Sequence, residues 1–87
     1  MDKTDEIITQ IKTLSLFITE QNYSAGIQKG YKLLIKLHDL GIEKEHIYQA
    51  LFQYHNSLED NLSRDYIADI LDYVVGWCSP QDWIWSE

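Results

Sequence analysis

Apolar residues recur at three- and four-residue spacing in four successive windows of this 87-residue chain, and this pattern constrains its fold more than any other feature. Such spacing places apolar side chains along one face of an α-helix. Only residues 82–86 alternate as a short extended segment would. The window residues are Ile7, Ile11, Leu14 and Ile18, then Ile27, Tyr31, Leu34 and His38, then Ile47, Leu51, Tyr54 and Leu58, and finally Ile67, Ile70, Leu71 and Val74.

Helix-ending signals separate the windows. Asn22 interrupts the first pattern, Gly41 follows the second, and Gly76 with Pro80 ends the fourth. Ser24 is the predicted N-cap of the second helix. Connections of about two to six residues favour antiparallel neighbours. The sequence therefore predicts an all-α fold, a small antiparallel four-helix bundle with an ordered C-terminal tail, in one domain over 1–87. The predicted helices cover about 4–20, 24–40, 43–58 and 63–75, and the tail covers 76–87.

Glycines in and after the second helix have predicted structural roles. Gly26 and Gly30 lie four residues apart near its start, where each costs about 1 kcal/mol relative to alanine. A close approach of another helix would explain both. Gly41 is expected to take the left-handed conformation, which lets Ile42 fold back on Leu37.

The net charge of −7 at pH 7 restricts the partners of the chain. Nucleic acids and anionic membranes would repel it, so we expect neither as a partner. The single cysteine, Cys78, cannot form an intramolecular disulfide, which fits a reducing compartment. The polar N-terminus lacks a signal-peptide pattern, and no apolar run approaches the roughly 20 residues that span a bilayer. We therefore expect a cytoplasmic protein.

The last 29 residues, 59–87, contain all three tryptophans and six of the seven net negative charges. Seven acids in this segment face a single base, Arg64. Acidic groups beside large aromatic side chains are typical of a surface that binds a basic protein. The seven acids are Glu59, Asp60, Asp65, Asp69, Asp72, Asp82 and Glu87.

The fourth predicted helix carries an acidic row, which consists of Asp65, Asp69 and Asp72. Helix residues advance about 100° each, so these three side chains fall within about 60° of one another, opposite the apolar stripe. Tyr66 and Tyr73 are predicted between the row and the core. This arrangement favours a partner-binding face, although a solvated helix face has the same pattern. The predicted partner-binding residues are Asp65, Tyr66, Asp69, Asp72, Tyr73, Trp77, Asp82 and Trp83.

A basic row on the second helix supports an alternative. Lys29, Lys32 and Lys36 are spaced three and four residues apart and share one face. This row could pair with the acidic row within one molecule or across a homodimer. Either pairing would occupy the acidic row without a foreign partner.

The tail also has two interpretations. Three tryptophans in nine residues, Trp77, Trp83 and Trp85, would be an aggregation risk if all were exposed. A tail that folds back and closes one end of the bundle would bury one or two of the rings, each about 150–250 Å². Alternatively, Trp83 or Trp85 stays exposed as an anchor for a partner.

No residue pattern indicates an enzyme, a metal site or a cofactor. Glu43 and His46 match half of a di-iron helix motif, but the fourth helix supplies no inward glutamate. Cys78 and three scattered histidines lack the local spacing of a zinc site. A phosphate-binding glycine loop and a Ser-His-Asp arrangement are missing as well. We therefore expect a non-catalytic protein without cofactors.

In general character the chain resembles bacterial toxin-immunity proteins of the colicin or contact-dependent-inhibition type. The likeness rests on a small acidic helical chain with Tyr and Asp on one helix face and on the tail at residues 76–80, Gly-Trp-Cys-Ser-Pro, followed by Ile84 and Trp85. The adjacent tyrosine pair typical of nuclease-colicin immunity proteins is absent, since Tyr66 and Tyr73 stand two turns apart. The resemblance implies stoichiometric neutralisation of a basic, nuclease-type toxin. The alternative is a small self-associating adaptor or regulator.

Overall fold

The computed structural model describes residues 3–59, 61–76 and 84, and the described chain forms four helices and no strand. The predicted all-α class is confirmed. The connections span 17–22, 40–43 and 58–61. The helices are α1 (Lys3–Leu16), α2 (Tyr23–Asp39), α3 (Lys44–Ser57) and α4 (Leu62–Val75).

The first helix ends four residues earlier than predicted because a polar turn follows it. Asn22 accepts a hydrogen bond from the Thr19 backbone N–H at 2.7 Å, and its own N–H donates to the Thr19 hydroxyl at 3.2 Å. The Asn22 side chain also donates to the carbonyl of Phe17 at 3.1 Å. Asn22, and not the predicted Ser24, therefore precedes the first residue of α2.

Gly41 and Gly76 mark the ends of α2 and α4, as predicted. Gly41 takes a φ of 82°, and the Ile42 N–H returns to the Leu37 carbonyl at 3.2 Å. Asn61 caps α4 by accepting from the Arg64 N–H at 3.2 Å. Gly76, with a φ of 83°, ends α4 in the left-handed conformation.

The core lies between all four helices, and α1 and α4 each pack against the other three. His38, which the apolar pattern placed at the edge of the core, is exposed, so its place on the apolar stripe is wrong, and its ring nitrogen lies 3.5 Å from the Asp39 carboxylate. Leu37 takes the inward position instead. The buried core residues are Ile7, Ile8, Ile11, Leu33, Leu34, Leu37, Ile47, Leu51, Tyr66, Ile67, Ile70, Leu71 and Val74.

Gly30 of α2 allows α4 to approach closely, as predicted, whereas a Cβ atom on Gly26 would clash first with the Ile18 side chain of the α1–α2 connection. A Cβ atom on Gly30 would lie 2.5 Å from the Ile70 Cδ1 and 2.6 Å from the Tyr66 hydroxyl. Both neighbouring side chains are buried. A larger side chain at Gly30 would therefore displace core atoms.

Among the described helices, none combines the length and the apolar character that a membrane-spanning helix requires.

Candidate partner-binding face

The outer surface of α4 carries the acidic row that the sequence predicts, here called the acidic face and defined by Asp65, Asp69 and Asp72. Asp65 and Asp69 are exposed, and Asp72 is half-buried. The Asn61 cap fixes the first turn of α4, where the helix dipole favours the carboxylate of Asp65. Asp72 lies in the last turn, where the dipole opposes a negative charge.

Tyr66 does not belong to this face. Its side chain is fully buried, and its hydroxyl donates to the Gly26 carbonyl at 2.7 Å. Burial raises the pKa of Tyr66 to about 12. The predicted position of Tyr66, at the border of the core and in contact with a partner, is therefore wrong. The space that the α2 glycines leave admits the ring into the core.

Tyr73 is half-buried and lies on the side of α4 that faces α2. Its ring packs edge-on against Tyr31, with centroids 5.1 Å apart and an angle of 71° between the planes. It borders the bundle, as predicted.

Tyr23, at the start of α2, reaches across to the acidic face and donates a hydrogen bond to the Asp69 carboxylate. Its ring meets Tyr66 edge-on at 6.1 Å. Burial, together with the hydrogen bond to Asp69, raises the pKa of Tyr23. This tyrosine therefore stays protonated at neutral pH and holds one carboxylate of the face in a fixed orientation.

On one side of the acidic face lies a concave acidic hollow of about 470 Å³. Its carboxylates come from the α1–α2 connection and from α4, and the Tyr23 ring forms one wall. Carboxylates beside an aromatic ring suit a lysine or arginine side chain, through charge and through contact with the ring. The hollow is lined by Glu20, Tyr23, Leu62, Asp65, Ala68 and Asp69.

On the other side lies an aromatic hollow of about 330 Å³ between α3 and α4. The Tyr48 and Phe52 rings stack at 5.4 Å, and the His55 ring stacks on Phe52 at 6.3 Å. Phe52 and Val75 are each 40% exposed. The full lining is Tyr48, Phe52, His55, Ala68, Leu71, Asp72 and Val75.

Ala68 lines both hollows, so α4 forms a narrow ridge between them. The carboxylates of Asp65 and Asp69 border one hollow, and that of Asp72 borders the other. The arrangement offers charge on a ridge and apolar contact area beside it. These are the components of a protein-binding surface with anchoring aromatic groups.

Sequence reasoning missed most of the surroundings of the ridge. Tyr48, Phe52 and His55 are spaced four and three residues apart, so they share one side of α3. This spacing could have indicated the aromatic hollow. Tyr23 and Asp69 lie 46 residues apart, and no local pattern connects them.

Burial, and secondarily the neighbouring charge of Asp69, raises the pKa of Asp72 above its ordinary value. A folded state that raises the pKa of an acid binds its proton more tightly than the unfolded chain does. Ionisation of Asp72 therefore lowers the free energy of unfolding as the pH rises above the ordinary aspartate pKa.

We expect Asp72→Asn to be more stable than the parent protein at pH 7, because it removes this unfavourable ionisation. The difference should largely disappear at about pH 3, where Asp72 is protonated in both states. Urea unfolding at the two pH values measures it. Asp65→Asn is the control, since its carboxylate is exposed and favoured by the helix dipole, and it should not gain stability at pH 7. A destabilised Asp72→Asn at pH 7 would contradict this reading of the site.

Three predicted site residues, Trp77, Asp82 and Trp83, lie outside the described residues, as do Cys78 and Trp85. Ile84 is half-buried and packs against the core. Position 84 of the tail therefore contacts the bundle.

Within one molecule, the lysine row does not pair with the acidic face. Within residues 3–59, 61–76 and 84, the only side-chain contact within ion-pair distance joins His38 to Asp39. Lys29, Lys32 and Lys36 instead border a groove between α1 and α2. The part of the chain that the structure describes also contains no group of three or more side chains able to hold a metal ion.

Comparison with models of known protein families found no match, and searches of curated proteins and of solved structures likewise found none.

Proposed function

We propose that this chain is a protein-binding module that binds a basic protein through the acidic face of α4, and that it acts as an immunity protein against a nuclease-type toxin. The observation that carries the proposal is the placement of Asp72. Its carboxylate is half-buried beside Asp69 and at the negative end of the helix dipole.

This placement lowers stability. Asp65 and Asp69 are separated by four residues, and like charges at this spacing repel each other on a helix. Asp69 and Asp72 are separated by three residues, and burial, followed by the charge of Asp69, raises the pKa of Asp72. Groups retained at a cost to stability are typical of functional sites, where a bound partner relieves the repulsion.

The chemistry of the acidic face indicates which kind of protein could bind it. Three carboxylates spaced along about 10 Å of helix can each accept hydrogen bonds from arginine or lysine. The acidic hollow admits a basic side chain beside Tyr23, and the aromatic hollow offers Phe52 to an apolar one. A cleft that binds nucleic-acid phosphates presents the complementary positive charge, so the acidic face suits it as a substitute for phosphate.

Inhibition would follow from steric cover. An 87-residue protein seated on a basic cleft would exclude a nucleic acid from it without any chemical step. Electrostatic attraction would also accelerate the encounter of the two proteins. Tight stoichiometric binding is therefore sufficient for neutralisation.

The test is co-expression with the protein encoded by the adjacent gene. We expect that protein to arrest growth when expressed alone, and growth to recover when this chain is present. The two proteins should co-purify at one-to-one stoichiometry and dissociate more readily at high salt. An adjacent-gene product that is harmless, or that stays toxic although this chain is present in excess, would contradict the immunity role.

A further inference from the structure

A groove of about 530 Å³ runs between the outer surfaces of α1 and α2, and the proposed toxin-binding face does not use it. We call it the lysine groove. Leu14, Phe17 and Leu33 form its apolar lining, here called the floor, and Phe17 is 72% exposed. Leu16, beside Phe17, is 62% exposed. An apolar surface of this kind on a small protein is typical of a binding site.

One rim of the groove is basic. Lys29, Lys32 and Lys36 line it, and they are three of the seven basic residues in a chain of net charge −7. Spacings of three and four residues spread their ammonium groups over about 10 Å, or two helical turns. No carboxylate among the described residues lies within ion-pair distance of them.

We propose that the lysine groove binds an amphipathic helix of a second protein, one with apolar residues on the buried face and acidic residues along one flank. The groove between two packed helices can hold the apolar face of a third helix. Carboxylates that repeat every three or four residues on the bound helix would match the three lysines in number and span. The chain would then join an acidic helix on α1–α2 to a basic protein on α4.

The shape and charge of the groove favour a helix over a small anionic amphiphile such as a fatty acid. The groove is open along one side, so a single alkyl chain would stay largely in water, whereas a helix needs to bury only one face. A fatty acid carries one carboxylate and would engage one or two lysines.

A second copy of this chain fits less well. The acidic face of α4 has the right charge, but it is a ridge with Ala68 at its crest, and its larger apolar side chains, Leu62, Phe52 and Val75, lie in the hollows on either side. The floor formed by Leu14, Phe17 and Leu33 needs larger apolar side chains. The positive charge of the three lysines matches an acidic helix. The apolar floor requires leucine-sized side chains on that helix.

The probe for the test is a synthetic helical peptide of about 18 residues, five turns, with leucine on one face and glutamate at three- and four-residue spacing along its flank. A matched peptide carries glutamine in place of each glutamate. We expect calorimetry to detect binding of the glutamate peptide and at least tenfold weaker binding of the glutamine peptide. Amide NMR shifts should concentrate at Thr13, Phe17 and Lys32.

Two variants of this chain locate the binding. We expect Lys32→Glu/Lys36→Glu and, separately, Phe17→Ser to weaken binding of the glutamate peptide at least tenfold. The control Lys3→Glu/Lys44→Glu has the same net charge and should bind as the parent does. Circular dichroism checks that each variant stays folded, which the exposure of Phe17, Lys32 and Lys36 favours.

Four results with the peptides would overturn the proposal. They are absence of binding, equal binding of the glutamine peptide, equal weakening by the control variant, and displacement of the peptide by dodecanoate at comparable affinity. A dimer of the parent protein that Lys32→Glu/Lys36→Glu dissolves would assign the groove to a second copy and would also overturn it. The four peptide results do not bear on the acidic face.

Discussion

Replacing Tyr66 with alanine should lower the free energy of unfolding by about 4 kcal/mol, a large fraction of the stability of a domain of this size. The side chain is the only aromatic one in the fully buried core of the described residues. Its removal leaves a cavity bounded by Ile70 and the backbone of Gly26 and Gly30. Glycine has no side chain with which to fill that space.

Tyr66→Phe separates the packing of the ring from its hydrogen bond. It keeps the ring and loses only the bond to the Gly26 carbonyl, so we expect a loss of about 1 kcal/mol. Urea unfolding monitored by circular dichroism measures both variants. Equal losses for Tyr66→Ala and Tyr66→Phe would contradict the assignment of Tyr66 to the core.

The four helices could be predicted because their signals are local. The spacing of apolar residues, Gly41 and Gly76 act within one helix or at its end. The early end of α1 was missed because it depends on side-chain hydrogen bonds between Thr19 and Asn22, which compete with the apolar pattern. A helical wheel carries no information on such a turn.

The depth of each side chain could not be predicted in the same way. A wheel places Tyr66 near the border of α4, and only the closeness of α2 at Gly26 and Gly30 draws the ring inside. Leu37 and His38 lie about 100° apart on the wheel of α2, and the position of the other helices decides which of them is buried. Both outcomes depend on tertiary packing.

The acidic face likewise has a part that depends on local sequence and a part that depends on tertiary packing. The acidic row of α4 follows from spacing within one helix, and the sequence predicted it. The hydrogen bond from Tyr23 to Asp69 joins α2 to α4, and the aromatic hollow forms where Phe52 and His55 of α3 lie beside Asp72 of α4. The sequence therefore predicted the charge of the face but not the hollows that shape it.

Reversing two charges of the acidic face, in Asp69→Lys/Asp72→Lys, should slow association with the basic partner about 100-fold at low salt. The variant places lysines where the partner presents its own positive charge. The remaining affinity should also depend less on salt, because fewer attractive charges are screened. Loss of the unfavourable Asp72 carboxylate helps the variant to stay folded, and thermal unfolding checks this.

The matched control is Asp39→Lys/Glu43→Lys. Both residues are exposed, lie around the α2–α3 connection outside both hollows, and give the same change in net charge. We expect this variant to associate within about threefold of the parent protein, since a distant charge contributes only to the overall field.

The most direct test of the acidic face is therefore the association rate constant of these two equally charged variants with the adjacent-gene protein, measured by stopped flow at low salt. The account predicts slowing of about 100-fold for Asp69→Lys/Asp72→Lys and near-parental association for Asp39→Lys/Glu43→Lys. Equal rates for the two variants would contradict it, because binding would then depend on net charge alone and not on the acidic face of α4.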